Sequence, residues 1–272
     1  MSALPSGMIS LSIFWLFVYM SALYLLALKK RDNSVADIGY GLGFIVALLP
    51  AYFYQLSAQL ALPLASSTLS LVMAFLPLLM VTLWGTRLAL RIYLKNKGKP
   101  EDFRYAAWRA EWKWFRLRSY LQIFMLQGAI IFIVVFPALL LSSESVYWMP
   151  LLVLGLLVWA KGFFYEVLGD WQLDRFLKEP ESRGKLMTRG LWKYTRHPNY
   201  FGESLMWWGI WILSLSAHPA LWQYTIWSPV LITFLLLKVS GIPLLEARMS
   251  KHPDWPEYVR KTSAVIPWFP KK

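Results

Sequence analysis

The chain has 272 residues, of which 57% are hydrophobic and 16% charged, with a formal charge of +13. A soluble domain carries about a quarter charged residues, so this composition belongs to a membrane protein. Cysteine is absent, which excludes disulfides, thiolate nucleophiles, thiolate metal sites and palmitoylation.

The 16 Trp, 14 Tyr and 16 Phe suit the two interfaces of a bilayer, where amphipathic rings concentrate. A spanning helix takes about 20 apolar residues. Predominantly apolar stretches of about that length predict an all-α, polytopic fold with seven transmembrane helices over 9–28, 38–62, 69–90, 120–141, 147–168, 199–215 and 221–240. Pro63 with Ser66 and Ser67 divides the second from the third, and Ser216-Ala217-His218-Pro219 the sixth from the seventh. The first stretch has no charged residue before it and is longer than a signal-peptide core, so it is expected to be retained.

Basic residues test the count. Lys29, Lys30 and Arg31 follow helix one, Arg91 to Arg118 follow helix three, Arg175 to Arg196 follow helix five, and Arg248 to Lys272 follow helix seven. The intervening connections hold no Lys or Arg, which by the positive-inside bias puts the N-terminus outside and the C-terminus in the cytoplasm. No linker or repeat divides the chain, so residues 1–272 read as one domain.

Ionisable groups at membrane depth are costly and mark functional sites. Glu166, Asp170 and Asp174 recur every four residues and share one face where helix five leaves the membrane. Pro198 predicts the first turn of helix six, with Arg196 and His197 just before it. Free N–H groups and the dipole at that terminus, with Arg196, favour an anion such as a phosphate. Asn199, Glu203 and Trp207 follow at intervals of four and line one face, a slot for a polar planar group; the same face could instead serve hydrogen bonding between helices. Gly241-Ile242-Pro243 breaks helix seven two residues or so before Glu246, and Arg248, Tyr258 and Arg260 follow in an aromatic tail.

Three further features have ordinary explanations. Gly39-Tyr40-Gly41-Leu42-Gly43 lies in a hydrophobic span with no strand before it, so Gly39 and Gly43 are expected to serve helix packing, not a dinucleotide loop. His197, His218 and His252 are too scattered for a metal site. The basic segment 95–118, with Trp108, Trp112 and Trp114, suits membrane lipids better than nucleic acid.

The run Gly190 to Glu203 with Arg196-His197-Pro198-Asn199-Tyr200, the element Gly169-Asp170-Trp171-Gln172-Leu173, the segment Ser240 to Glu246 and the later Ala264-Val265-Ile266-Pro267 together resemble the steroid 5-alpha-reductase superfamily. The match is nearest to its bacterial branch, carried as a domain of unknown function, and is strongest over 162–272. The resemblance implies a seven-helix reductase of the bacterial inner membrane that binds NADPH on the cytoplasmic side. It would reduce a carbon–carbon double bond conjugated to a ketone in a steroid-like or other lipid substrate. Carried over by motif, the NADPH residues are Asp170, Arg175, Tyr194, Arg196, His197, Asn199, Tyr200, Glu203, Trp207 and Glu246. A tyrosine or protonated carboxylate donating to the substrate carbonyl suits the reaction, and Tyr40 and Asp37 in helix two are the catalytic candidates.

Two other classes share features with this chain. S-adenosylmethionine-dependent membrane methyltransferases of the isoprenylcysteine and phospholipid type have the same Arg-His-Pro-x-Tyr-x-Gly pattern, here Arg196 to Gly202. A lipid-binding scaffold would bind no nucleotide at all.

Overall fold

The computed structural model describes residues 6–60, 68–141 and 147–271, and among these residues no strand occurs. The chain divides into two compact units, Met1–Tyr147 with Ala217–Pro219, and Trp148–Ser216 with Ala220–Lys272.

The first unit holds α1 (Ser6–Lys30), α2 (Val35–Leu60), α3 (Thr68–Asn96), the short α4 (Phe103–Glu111) and α5 (Phe115–Leu141), the last containing a π-helical stretch over Tyr120–Met125. The turn expected around Pro63 lies outside the described residues. Helix α2 packs against α1, α3 and α5. Small residues let it do so. A β-carbon on Gly41 would strike the carbonyl of Gly85 in α3, and one on Gly85 would strike the carbonyl of Gly41. Gly39 sits under Leu23 and Tyr19, and Gly43 lies against Ile131, so both predicted packing glycines do pack. Around them Tyr40 and Trp84 meet Phe44 edge to face, at 5.1 and 5.0 Å between ring centroids.

The second unit holds α6 (Met149–Lys178), α7 (Pro198–Ala217), α8 (Trp227–Phe234, continuing as a π turn over Leu235–Val239), α9 (Ile242–Met249) and α10 (Trp255–Lys261). Helix α7 opens at Pro198 as its sequence predicts, because proline's fixed φ suits a first turn whose N–H has no helical acceptor. The break expected near Gly241 separates α8 from α9. Helix α6 runs ten residues past the predicted end at Leu168, since the polar sequence that follows still favours a helix once it leaves the apolar layer.

Helices α6 and α7 touch backbone to backbone. Gly155, Gly162 and Gly169 recur every seven residues on α6, and Gly202 and Gly209 do so on α7. A β-carbon on Gly162 would lie 2.6 Å from the Met206 amide nitrogen and 2.7 Å from the Gly202 carbonyl oxygen. One on Gly209 would lie 2.6 Å from the Trp159 nitrogen. Helix α7 is tied to α8 by the Trp208 indole, which donates to Thr233 at 3.2 Å, and to the short turn of helix before α8 by the Trp211 indole, which donates to Thr225 at 3.1 Å.

Six helices among the described residues are long and apolar enough to cross a membrane, which makes this a membrane protein. Helix α7 is not among them. Its 20 residues would reach about 30 Å, but Asn199, Glu203 and Ser204 lower the hydropathy of its first turns.

The glycine seam gives a direct test. Gly162→Leu should cost about 2 kcal/mol or more through overpacking, seen as a lower melting temperature in detergent. Leu157→Ala, at a position that is 64% exposed on the same helix, should leave that temperature nearly unchanged.

Candidate functional site

The glycine seam decides what lies beside the first turns of α7. Gly202 leaves room for the backbone of Glu166, whose nitrogen would be 2.5 Å from a β-carbon there. Gly169 in turn admits Pro198 and the amide of Asn199. Glu166 and Asp170 are therefore packed where α7 begins, and both are buried. On α7, Asn199, Glu203 and Trp207 share one face by their spacing of four, with Glu203 and Trp207 buried and Asn199 half-buried. The Oδ1 of Asn199 and the Oγ of Ser204 are buried atoms without a hydrogen-bond partner among the described residues.

The segment before α7 is fixed from both sides. Trp192 donates its indole N–H to the Gly169 carbonyl at 3.0 Å, and Gln172 accepts the Leu191 amide at 2.9 Å. From the other side comes the tail. The Arg196 amide donates to the Ser263 carbonyl at 2.8 Å, and the Thr195 hydroxyl donates to the Val265 carbonyl at 2.8 Å. Tyr258 donates its phenol to the Trp192 carbonyl at 2.7 Å, and burial raises the pKa of that phenol, keeping it a donor.

Arg196 and His197 converge on one carboxylate oxygen. Arg196 Nε and His197 Nε2 each lie 2.9 Å from Oε1 of Glu246. Arg196 Nη1 also donates to the Thr262 carbonyl at 2.6 Å, and its guanidinium lies over the Trp255 ring. Two donors of Arg196 are thus committed to α9 and the tail. His197 is fully buried, stacks on Tyr200 with ring centroids 5.7 Å apart, and leaves Nδ1 without a partner among the described residues. Burial, opposed by the Glu246 carboxylate, lowers the pKa of the imidazole. Neutral His197 donating through Nε2 has an acceptor lone pair on Nδ1 inside the fold.

Of the ten residues matched by motif, Arg196, His197, Tyr200 and Glu246 form this cluster, while Asp170, Asn199, Glu203 and Trp207 line the packed start of α7. Arg175 and Tyr194 are placed differently. Arg175 lies 3.9 Å from Glu179 and over the Trp171 ring, with its side chain 68% exposed. Tyr194 is exposed and meets Phe269 of the tail edge to face. The sequence marks Glu166 by its four-residue spacing from Asp170 but leaves it outside the NADPH set, and it does not mark Thr262. The sevenfold glycine spacing is the signal that places Glu166; nothing local in the sequence marks Thr262, which contributes only a carbonyl.

The two catalytic candidates belong to the first unit. Asp37 accepts from Arg104 Nη2 at 2.7 Å and from the Tyr105 phenol at 2.6 Å. Tyr105 is buried, and burial followed by the Asp37 carboxylate raises its pKa, so it stays a donor. Tyr40 lies one helical turn further along α2, half-buried against Phe44.

A family profile described as a protein of unknown function (DUF1295) matches residues 23–262, and the chain belongs to that family. The uncharacterized protein C594.04c of the fission yeast Schizosaccharomyces pombe is 28% identical over 244 residues, a match that covers 79% of this chain and 67% of the yeast protein. No solved structure matches the chain.

Glu246→Ala should cost about 3 kcal/mol, because it leaves the Arg196 charge buried and unpaired. Thermal unfolding and faster proteolysis of the 250–271 tail would register that loss. The histidine adds a pH dependence. An unfolded imidazole takes up its proton near pH ~6.5, whereas the folded one does so only at lower pH. Its contribution to stability is therefore complete above that value and is lost as pH falls through the window below it. The melting temperature should drop between about pH 7 and about pH 5, and His197→Gln should flatten that slope.

Proposed function

We propose that this DUF1295 protein is a membrane reductase of the steroid 5-alpha-reductase superfamily, using NADPH to reduce a carbon–carbon double bond conjugated to a ketone in a steroid-like or other lipid substrate. The observation that supports this most is the buried polar face at the start of α7. Among the described residues His197 Nδ1 and Asn199 Oδ1 are acceptors that meet no donor, and Glu166, Asp170 and Glu203 are acidic side chains buried in the same unit. An unmet buried acceptor costs about 1–3 kcal/mol, so a ligand that brings donors is favoured here. Ribose hydroxyls and a nicotinamide carboxamide are such donors.

Bound NADPH would supply the hydride; the chain holds, orients and protonates. Asn199 and Glu203 would accept hydrogen bonds from the carboxamide or ribose, and Trp207 would wall the slot. The N-terminus of α7 would favour a phosphate, with Arg196 fixed beside it by Glu246 as a positioning residue. Tyr40 is the proton-donor candidate, since a phenol suits donation to a substrate carbonyl. Asp37, which carries Arg104 and Tyr105, anchors the turn from which Tyr40 rises.

In this reading α7 is the seventh crossing. The confinement of Lys and Arg to alternate connections supports an external N-terminus and a cytoplasmic C-terminus with the cofactor side inward; the bacterial inner membrane is what the resemblance implies.

Calorimetry on purified protein, with NADPH and S-adenosylmethionine in parallel, is the test. NADPH should bind, and Asn199→Ala and Glu203→Ala should each weaken it roughly tenfold or more. Unchanged affinity in both variants would remove the site assignment. Heat with S-adenosylmethionine and none with NADPH would replace the reductase by a methyltransferase.

A further inference from the structure

The segment between α3 and α5 is tightly built, and only Arg104 and Tyr105 of it, through Asp37, bear on the proposed function. It joins two helices that are long and apolar enough to span, and α4 within it has only nine residues. Nine residues rise about 14 Å, far short of the roughly 30 Å apolar layer, so the segment returns to the face it left and lies along the membrane surface. Its height is set by the start of α2. Asp37 holds Arg104 and Tyr105, Glu101 accepts the Asn33 amide at 2.8 Å, and the Ser34 hydroxyl accepts the Asp102 amide at 2.9 Å.

This anchoring consumes acid and leaves base. Residues 95–118 contain eight Lys and Arg against Glu101, Asp102 and Glu111. Glu101 takes Arg109 through two hydrogen bonds of 2.8 and 2.9 Å, and Asp102 takes Arg104 Nε at 2.8 Å while capping α4. Lys113, Arg116 and Arg118 are exposed and have no carboxylate partner among the described residues. Between them Trp114 is 81% exposed and held in the left-handed region, at φ 58° and ψ 41°. A residue with a β-carbon seldom adopts that conformation, and where one does the strain commonly serves a function. Here it turns a large indole outward, beside three unpaired cations at membrane level. The same residues offered to nucleic acid would leave the exposed indole and Leu117 in a polar environment.

We propose that Trp114, Lys113, Arg116 and Arg118 form a seat for anionic phospholipid headgroups, held at the bilayer surface by the Asp37–Arg104–Tyr105 cluster. The indole lies in the interfacial layer, where its apolar body and N–H are both accommodated, and the cations bind lipid phosphates.

The natural chain has no cysteine, so Trp114→Cys carries a single bimane label. The full-length protein is placed in nanodiscs of equal phosphatidylcholine and phosphatidylglycerol, with a headgroup-level quencher attached to one lipid or to the other. Quenching should be stronger from the phosphatidylglycerol-borne quencher. Adding Lys113→Gln and Arg116→Gln, both at exposed positions, should reduce that preference by up to about fivefold for each charge removed. Equal quenching by the two lipids overturns the anionic preference. A label quenched by neither lipid, and as open to aqueous iodide as one at Lys185→Cys, overturns the membrane seat and gives this face to a soluble acidic partner.

Discussion

The second unit depends on one close approach, that of α6 and α7 through glycines spaced by seven. Membrane helices gain little from apolar burial against each other, because lipid tails offer the same environment. Backbone proximity restores an advantage through dispersion and fixed geometry. It also sets the register at which carboxylates on α6 come level with the first turns of α7. If Gly162 and Gly202 carried side chains, Glu166 would be pushed from the backbone it now touches. The site's polar face is thus a consequence of residues that have no side chain at all.

Burying acids beside a helix N-terminus is electrostatically coherent. The partial positive charge at the start of α7 favours acidic groups such as Glu166, Asp170 and Glu203 nearby. Hydrogen-bond donors are distributed unevenly around it. Glu246 receives two donors on one oxygen, while among the described residues Asn199 Oδ1 and His197 Nδ1 receive none. Unsatisfied acceptors in a close-packed region call for an explanation, and a bound ligand is the one proposed above.

Much of this was legible in the sequence, for identifiable reasons. Apolar length marks helices because a bilayer demands it, and Pro198 marks the start of α7 because proline is compatible with only a few backbone positions. The partners of Arg196 were hidden, because a backbone carbonyl such as that of Thr262 leaves no trace in residue identity. Arg175 shows the converse limit. Its position on α6 was plain, but whether a long cation at a helix end turns inward or pairs with Glu179 depends on neighbours that no local pattern encodes. Helix α7 was read as a span from its tryptophans and leucines, yet its first turns are polar enough to keep it apart from the six strongly apolar helices.

The tail's grip on the segment before α7 has a consequence for biosynthesis. Thr195 and Arg196 complete their hydrogen bonds only with Thr262, Ser263 and Val265, 66 to 70 residues later in the chain. The segment that precedes α7 therefore cannot be fixed until almost the whole chain has been made, and a chain truncated before Thr262 would leave the candidate site's entry segment without these partners.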